Sequence, residues 1–140
     1  MSRPRSDLLT QNLQALLQTA PDLEALALVS MDGIEIASAL PQGVNTARLS
    51  AMSLAVFTLG EQIATELQRY KLEEVYIRGN HGFIVIIQVD KQAILVALAR
   101  ADARPGLVLL ELRRIARSLL ETKKNLQKRM RESNSSKSQK

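Results

Sequence analysis

Two apolar runs separated by three polar residues constrain this chain more than any other feature in it. Phe83 to Val89 contains one polar residue, Gln88; Asp90-Lys91-Gln92 turns the chain; and Ala93 to Ala99 is apolar throughout. Seven-residue runs bounded by turn residues read as strands, and so short a connection makes them antiparallel neighbours. A strand with no polar face needs cover on both sides. The sheet must therefore lie between two helical layers, and 140 residues, the size of one domain, must supply them.

The helices are legible on either side of those strands. Asp7 is a candidate N-cap for a first helix in which Leu8, Leu9, Leu13, Leu16 and Leu17 recur at helical spacing up to Pro21. Leu23 to Ser30 and Ile34 to Ala39 read as a hairpin turning at Asp32-Gly33. After a loop, Leu40 to Val44, Asn45 or Thr46 caps a long second helix reaching about Arg69. Leu72 to Arg78 is a strand with Val75 and Ile77 alternating against Glu74, Tyr76 and Arg78, and Gly79-Asn80-His81-Gly82 turns it into Phe83. Asp102 and Pro105 open a third helix striped by Val108, Leu112, Ile115 and Leu119, a spacing that Leu126 and Met130 nearly continue. The expected fold is an α/β (α+β) three-layer sandwich: a five-stranded antiparallel sheet, one long helix on one face and two helices on the other. Residues 1–6 read as a flexible N-terminus, 7–120 as the domain, and 121–140 as a basic extension, partly helical and then disordered from Ser133.

Charge excludes less than its total suggests. The net +5 is located in the tail: residues 1–120 hold 12 Lys or Arg against 12 Asp or Glu, and 121–140 hold 7 against 2. A nucleic-acid-binding domain would spread cations over a folded face. Aromatic residues at 3% argue against base-stacking platforms. With no Cys, disulfides, thiolate metal sites and cysteine nucleophiles are excluded, and a reducing cytoplasm is the expected location. The longest apolar run, Ala93 to Ala99, is too short to span a bilayer, and polar residues interrupt the start as they would not in a signal peptide.

Catalytic signatures are missing. None of the six glycines falls into a dinucleotide or phosphate-loop pattern. The single histidine, His81, lies in a turn, so neither a histidine metal cluster nor a plausible triad can be built. Glu73 and Glu74 are adjacent on a strand and point to opposite faces. The reading is a non-enzyme with no cofactor and no metal.

What needs explaining is the second helix, which runs from Leu49 to Gly60 without a charge although its outer face should be polar. Leu49, Met52, Val56, Leu59 and Ile63 cluster in one direction, expected to be the sheet; Leu54 lies nearly opposite and Phe57 about 120° away. Leu54 and Phe57, with small Ala47, Ala51 and Thr58 beside Leu54, are then expected to meet a second subunit. Gly60 is expected to allow close packing on the sheet. The strand Leu72 to Arg78, if an edge, offers unpaired backbone groups to its own copy about a two-fold axis.

The element order, together with Met31-Asp32-Gly33-Ile34-Glu35-Ile36-Ala37, Leu49-Ser50-Ala51-Met52, Val75-Tyr76-Ile77-Arg78-Gly79 and Pro105-Gly106-Leu107-Val108, resembles the Roadblock, or dynein light chain roadblock-type, family over about residues 7 to 120. The resemblance implies a homodimer with a sheet continuous through the middle strand, and a platform that binds and regulates a small Ras-like GTPase, as a stimulator of its hydrolysis or as a scaffold subunit. It also implies an interface on Ala47, Arg48, Ala51, Leu54, Ala55 and Thr58, to which Phe57, Val75, Tyr76, Ile77 and Arg78 are added from the helix and strand reading. Arg48 invites comparison with an arginine finger, but a lone surface Arg near a helix start reads more simply as solvated. The tail residues Lys123, Lys124, Lys128, Arg129 and Arg131 form a basic segment suited to anionic lipid or nucleic acid.

Overall fold

In the computed structural model, which describes residues 4–138, the two apolar runs form β4 (Gly82–Asp90) and β5 (Ala93–Arg100). They pair antiparallel from Phe83 opposite Ala99 to Gln88 opposite Ile94. β1 (Leu23–Ser30) pairs with the other side of β5, β2 (Glu35–Ala39) with β1, and β3 (Glu74–Gly79) with β4. The sheet order is β2-β1-β5-β4-β3, antiparallel throughout, with β3 at one edge.

Side chains alternate between the two faces along each strand. One face carries Leu26, Leu28, Phe83, Val85, Ile87, Leu95 and Ala97, covered by Leu9 and Leu13 of α1 (Pro4–Gln18) and by Val108, Leu112, Ile115 and Leu119 of α3 (Pro105–Ser138). The other carries Ala27, Val29, Ile86, Ile94 and Val96 under α2 (Thr46–Glu66). This is the three-layer sandwich that the doubly apolar strands require. α1 and α3 are joined by Asn12 Nδ2 donating to Thr122 Oγ1 at 2.6 Å.

The turns follow local chemistry. Ser30 Oγ accepts from the N–H groups of Asp32 and Ile34 in the β1–β2 turn, where Gly33 takes a φ of +80°. At the β3–β4 turn Gly82 is obligatory: its φ is +146° and a Cβ there would lie 2.5 Å from the Ala99 carbonyl oxygen. His81 is an exposed turn residue.

The ends of the helices differ from the sequence reading. α1 begins at Pro4, ahead of the expected Asp7 cap, because proline fits the first turn of a helix. Of the N-terminal segment 1–6, residues 1–3 lie outside the described residues. α3 stays helical through Ser138, beyond Ser133 where composition suggested disorder; residues 139–140 are outside the described residues. α2 is capped as expected, Asn45 Oδ1 accepting from the Arg48 N–H at 3.0 Å. It ends in a connection where Gln68, Tyr70 and Lys71 take positive φ of 58°, 45° and 39°. No glycine marks that reversal. It delays the strand to Glu74 and leaves Leu72 to pack beneath α2.

Candidate functional site

The face of α2 that meets the sheet is the reverse of the one its hydrophobic pattern suggests. Phe57 is fully buried against Ala27, Val29, Ile86, Ile94 and Val96, with Ser50 and Ser53 beside it. Leu54 is half-buried on the same cluster. The expectation that Leu54 and Phe57 turn away from the chain's own sheet is thus overturned, and Phe57 is not available to a partner. Of the large aliphatic residues assigned to the sheet, Leu49 is half-buried and the others are open: Met52 is 52% exposed, Val56 37%, Leu59 56% and Ile63 53%, and Leu67 beyond them is 62% exposed. Periodicity reveals a stripe without revealing what covers it. Here two serines and one phenylalanine suit the close helix-sheet contact, and the aliphatic stripe remains outside.

Two neighbours orient the helix. Gly60 faces Leu72 and the start of β3: a Cβ would come within 2.9 Å of Leu72 Cδ2 and 3.4 Å of Val75 Cγ2. The close packing expected of this glycine is present. On the other flank Gly33 of the β1–β2 turn approaches Leu54 Cδ2 and Ala51 Cα, at 3.6 and 3.7 Å from an ideal Cβ position. At about 100° per residue from Phe57, Leu49, Met52, Val56, Ile63 and Leu67 fall on the Gly60 flank, about 80° to 140° from the sheet direction. Ala47, Ala51 and Thr58 fall on the opposite flank; Arg48, Ala55 and Leu59 point nearly straight out. Of the residues expected at an interface, Ala47, Arg48, Ala51, Ala55 and Thr58 are exposed. Ala51, Ala55 and Thr58, with Leu54 and Leu59, line a shallow depression that also includes Asp32, Gly33 and Gln62.

The aliphatic stripe therefore lies toward β3, and β3 is open. Among the described residues no strand pairs with its outer edge. Val75 and Ile77 stand opposite Ile86 and Ile84 of β4 on the α2 side, Val75 half-buried and Ile77 40% exposed. Tyr76 and Arg78 stand on the other face, where the Tyr76 and Phe83 rings lie 5.0 Å apart and Arg78 donates to Tyr76 Oη at 3.2 Å. The guanidinium also sits 5.8 Å from the Phe83 ring centroid. The helix stripe, which the sequence reading had given to the sheet, and the sheet edge, which it had offered as an interface, form one continuous surface. Met52, Val56, Leu59, Ile63 and Leu67 are the residues that sequence reasoning missed. Their repeat was visible, and their exposure could be found only by placing Phe57.

The basic tail does not act as one patch. Lys123 is a clamp: Nζ donates to Asp90 Oδ2 at 2.7 Å and to Gln92 Oε1 at 2.6 Å, fastening α3 to the β4–β5 turn. Burial opposes ionisation of Asp90, but the hydrogen bond from Lys123, the Gln92 N–H, the Lys123 charge and the Ala93 N–H together hold its carboxyl below the ordinary value. Lys124, Lys128, Arg129 and Arg131 are exposed, without ion pairs among the described residues. Among the described residues no group of three or more Asp, Glu or His is placed to hold a metal ion, and no helix is long and apolar enough to cross a membrane.

Comparison with known proteins adds three findings. The model of the Roadblock/LC7 domain matches residues 9–99. Uncharacterised protein MJ1340 of Methanocaldococcus jannaschii is 31% identical over 103 residues, covering 74% of this chain and 90% of that protein. Among solved structures, Myxococcus xanthus MglB superposes with a TM-score of 0.78 at 18% identity, covering 90% of this chain and 95% of that one. A Roadblock/LC7 domain from Streptomyces avermitilis gives 0.73 at 15%, covering 80% and 94%. At these identities the structural likeness speaks for the fold.

Proposed function

We propose, from the premise that the chain belongs to the Roadblock/LC7 family, that it is a homodimeric, non-catalytic module that binds and regulates a small Ras-like GTPase. The observation that carries the dimer is the continuous surface of the α2 stripe and the open β3 edge. Completing the burial of five roughly half-exposed aliphatic side chains recovers about half of the ~1.5–3 kcal/mol that full burial of each provides. An open edge strand beside such a stripe is normally covered, and among the described residues β3 is not. Pairing β3 with its own copy satisfies the edge and aligns the two stripes. Antiparallel pairing sets the two-fold axis perpendicular to the sheet, so both α2 helices share one face and both α3 helices the other.

A GTPase partner follows from the family resemblance. The exposed small-residue flank of α2, Ala47, Ala51, Ala55 and Thr58 with Arg48, remains outside this dimer contact and is the docking face we assign to it. The test has two parts. Ile63→Glu places an unpaired carboxylate in the stripe on its β3 flank and is expected to convert a sedimenting dimer to a monomer, whereas Ala51→Arg leaves the dimer intact. Capture from native lysate with the chain as bait, with lysates loaded with GTP analogue or GDP, is expected to retain a Ras-like GTPase identified by mass spectrometry, and Ala51→Arg to release it. A monomeric wild-type chain at micromolar concentration overturns the dimer. Capture without a GTPase in either nucleotide state favours a scaffold subunit instead.

A further inference from the structure

The outer face of α3 carries a line of cations that the proposed dimer leaves uncovered. Taking Leu119 as the direction of the core, Arg113, Arg117, Lys124, Lys128 and Arg131 all lie about 120° to 180° away, along roughly 27 Å of helix. Their spacing of three, four or seven residues keeps them on one side. Arg113 is engaged by Glu74 at 3.0 Å and Glu73 at 3.9 Å, while Arg117, Lys124, Lys128 and Arg131 have no carboxylate partner among the described residues. Arg114 flanks the line and donates to Thr19 Oγ1. Glu121 and Glu132 lie along its far border. The neighbouring helix adds one acidic residue, Asp7 in its first turn, and from Leu8 to Gln18 it is free of acidic residues and exposes Gln11, Gln14 and Gln18. At the N-terminal end of the same helix, Leu110 is 65% exposed on the line itself and Leu107 45% exposed beside it.

We propose that this ridge of α3 lies flat on an anionic lipid surface, its cations against the phosphates and carboxylates of the headgroups and Leu107 and Leu110 entering the headgroup boundary. A straight cationic row attracts any polyanion; the two exposed leucines at its end favour lipid over nucleic acid, whose backbone offers nothing to an aliphatic side chain. The geometry also suits a plane. In the dimer of the preceding section both α3 helices share one face, which doubles the row. That doubling rests on the dimer reading, and the row itself does not.

The test is co-flotation of the full chain with vesicles of phosphatidylcholine alone or with phosphatidylserine added. Binding is expected only with phosphatidylserine and is expected to fall steeply with salt. Each Lys or Arg near such a surface changes partitioning about fivefold, so Lys124→Gln, Lys128→Gln and Arg131→Gln together should reduce it roughly 100-fold. Leu110→Gln should weaken it further. Arg129→Gln, on the opposite flank of the helix, and Arg48→Gln, across the sheet, should each change it less than twofold. Circular dichroism verifies that the helix persists in every variant. Equal losses for Arg129→Gln and Lys128→Gln would mean that the tail acts as an unstructured polycation and would overturn the ridge. Failure to bind phosphatidylserine vesicles would also overturn it, as would retention of duplex DNA at physiological salt in their place. Sedimentation of the same samples separates the two proposals: a monomer that ranks the variants in this order removes the doubling and leaves the ridge.

Discussion

Phe57→Ala and Leu59→Ala, two residues apart on one helix, should behave as if they belonged to different proteins. Phe57 is fully buried and is the one large side chain that α2 sets wholly inside the sheet-facing cluster. Its neighbours there, Ala27, Val29 and Val96 among them, are held on strands and cannot close over a lost ring. A buried Phe→Ala substitution of this kind costs about 3–5 kcal/mol. With an unfolding entropy of about 0.29 kcal/mol/K for a chain of this length, that is a fall in Tm of roughly 10–17 °C. Leu59 is 56% exposed, so truncation loses little packing within the chain and gains helix propensity. Its intrinsic cost should stay below about 0.5 kcal/mol. Any larger loss must come from the dimer and must therefore depend on protein concentration. Urea unfolding at two concentrations a hundredfold apart reads both quantities. A concentration-independent loss for Leu59→Ala equal to that for Phe57→Ala would refute the placement of α2, as would a loss under about 1 kcal/mol for Phe57→Ala.

Two other outcomes follow from geometry described above. Because the Asp90 carboxyl is held below its ordinary pKa in the folded chain, its pairing with Lys123 contributes stability above the unfolded-state carboxylate pKa, and this is lost as pH falls through the folded value. Lys123→Gln should thus cost about 1 kcal/mol at pH 7, discounted for the partial exposure of the pair, and progressively less in acid, as read from urea midpoints across pH. Gly82→Ala should cost about 1–3 kcal/mol, since its φ of +146° and the Ala99 carbonyl oxygen both exclude a Cβ; an unchanged thermal midpoint would show that the β3–β4 turn can move aside.

The layers were legible because β4 and β5 have no polar face, and that fact alone demands helices on both sides. The edge position of β3 was foreshadowed by its alternation of Val75 and Ile77 with Glu74, Tyr76 and Arg78, and Gly60 announced a close contact. Two features were hidden. The phase of α2 was unreadable because a helix without charge from Leu49 to Gly60 has two candidate inner faces, and the better stripe was the outer one; Ser50 and Ser53 gave no sign of being buried. The left-handed run at Gln68, Tyr70 and Lys71 was hidden for the opposite reason, since residues that ordinarily avoid positive φ hold it here under the constraint of the helix end and of Leu72. In the tail, composition measured charge and not phase. It could not separate Lys123, held by Asp90, from Lys124, which turns outward.

The clamp at Lys123 also has a mechanical consequence. Beyond it α3 keeps partial cover through Leu126 and Gln127, residues 128–135 are exposed, and about 16 Å of helix runs from Gln127 to Ser138. A lever of that length turns a tilt of about 10° at its pivot into a displacement of about 3 Å at its tip. Whatever grips the far end thereby pulls on the β4–β5 turn, and releasing that fulcrum would let the arm swing without disturbing the sandwich behind it.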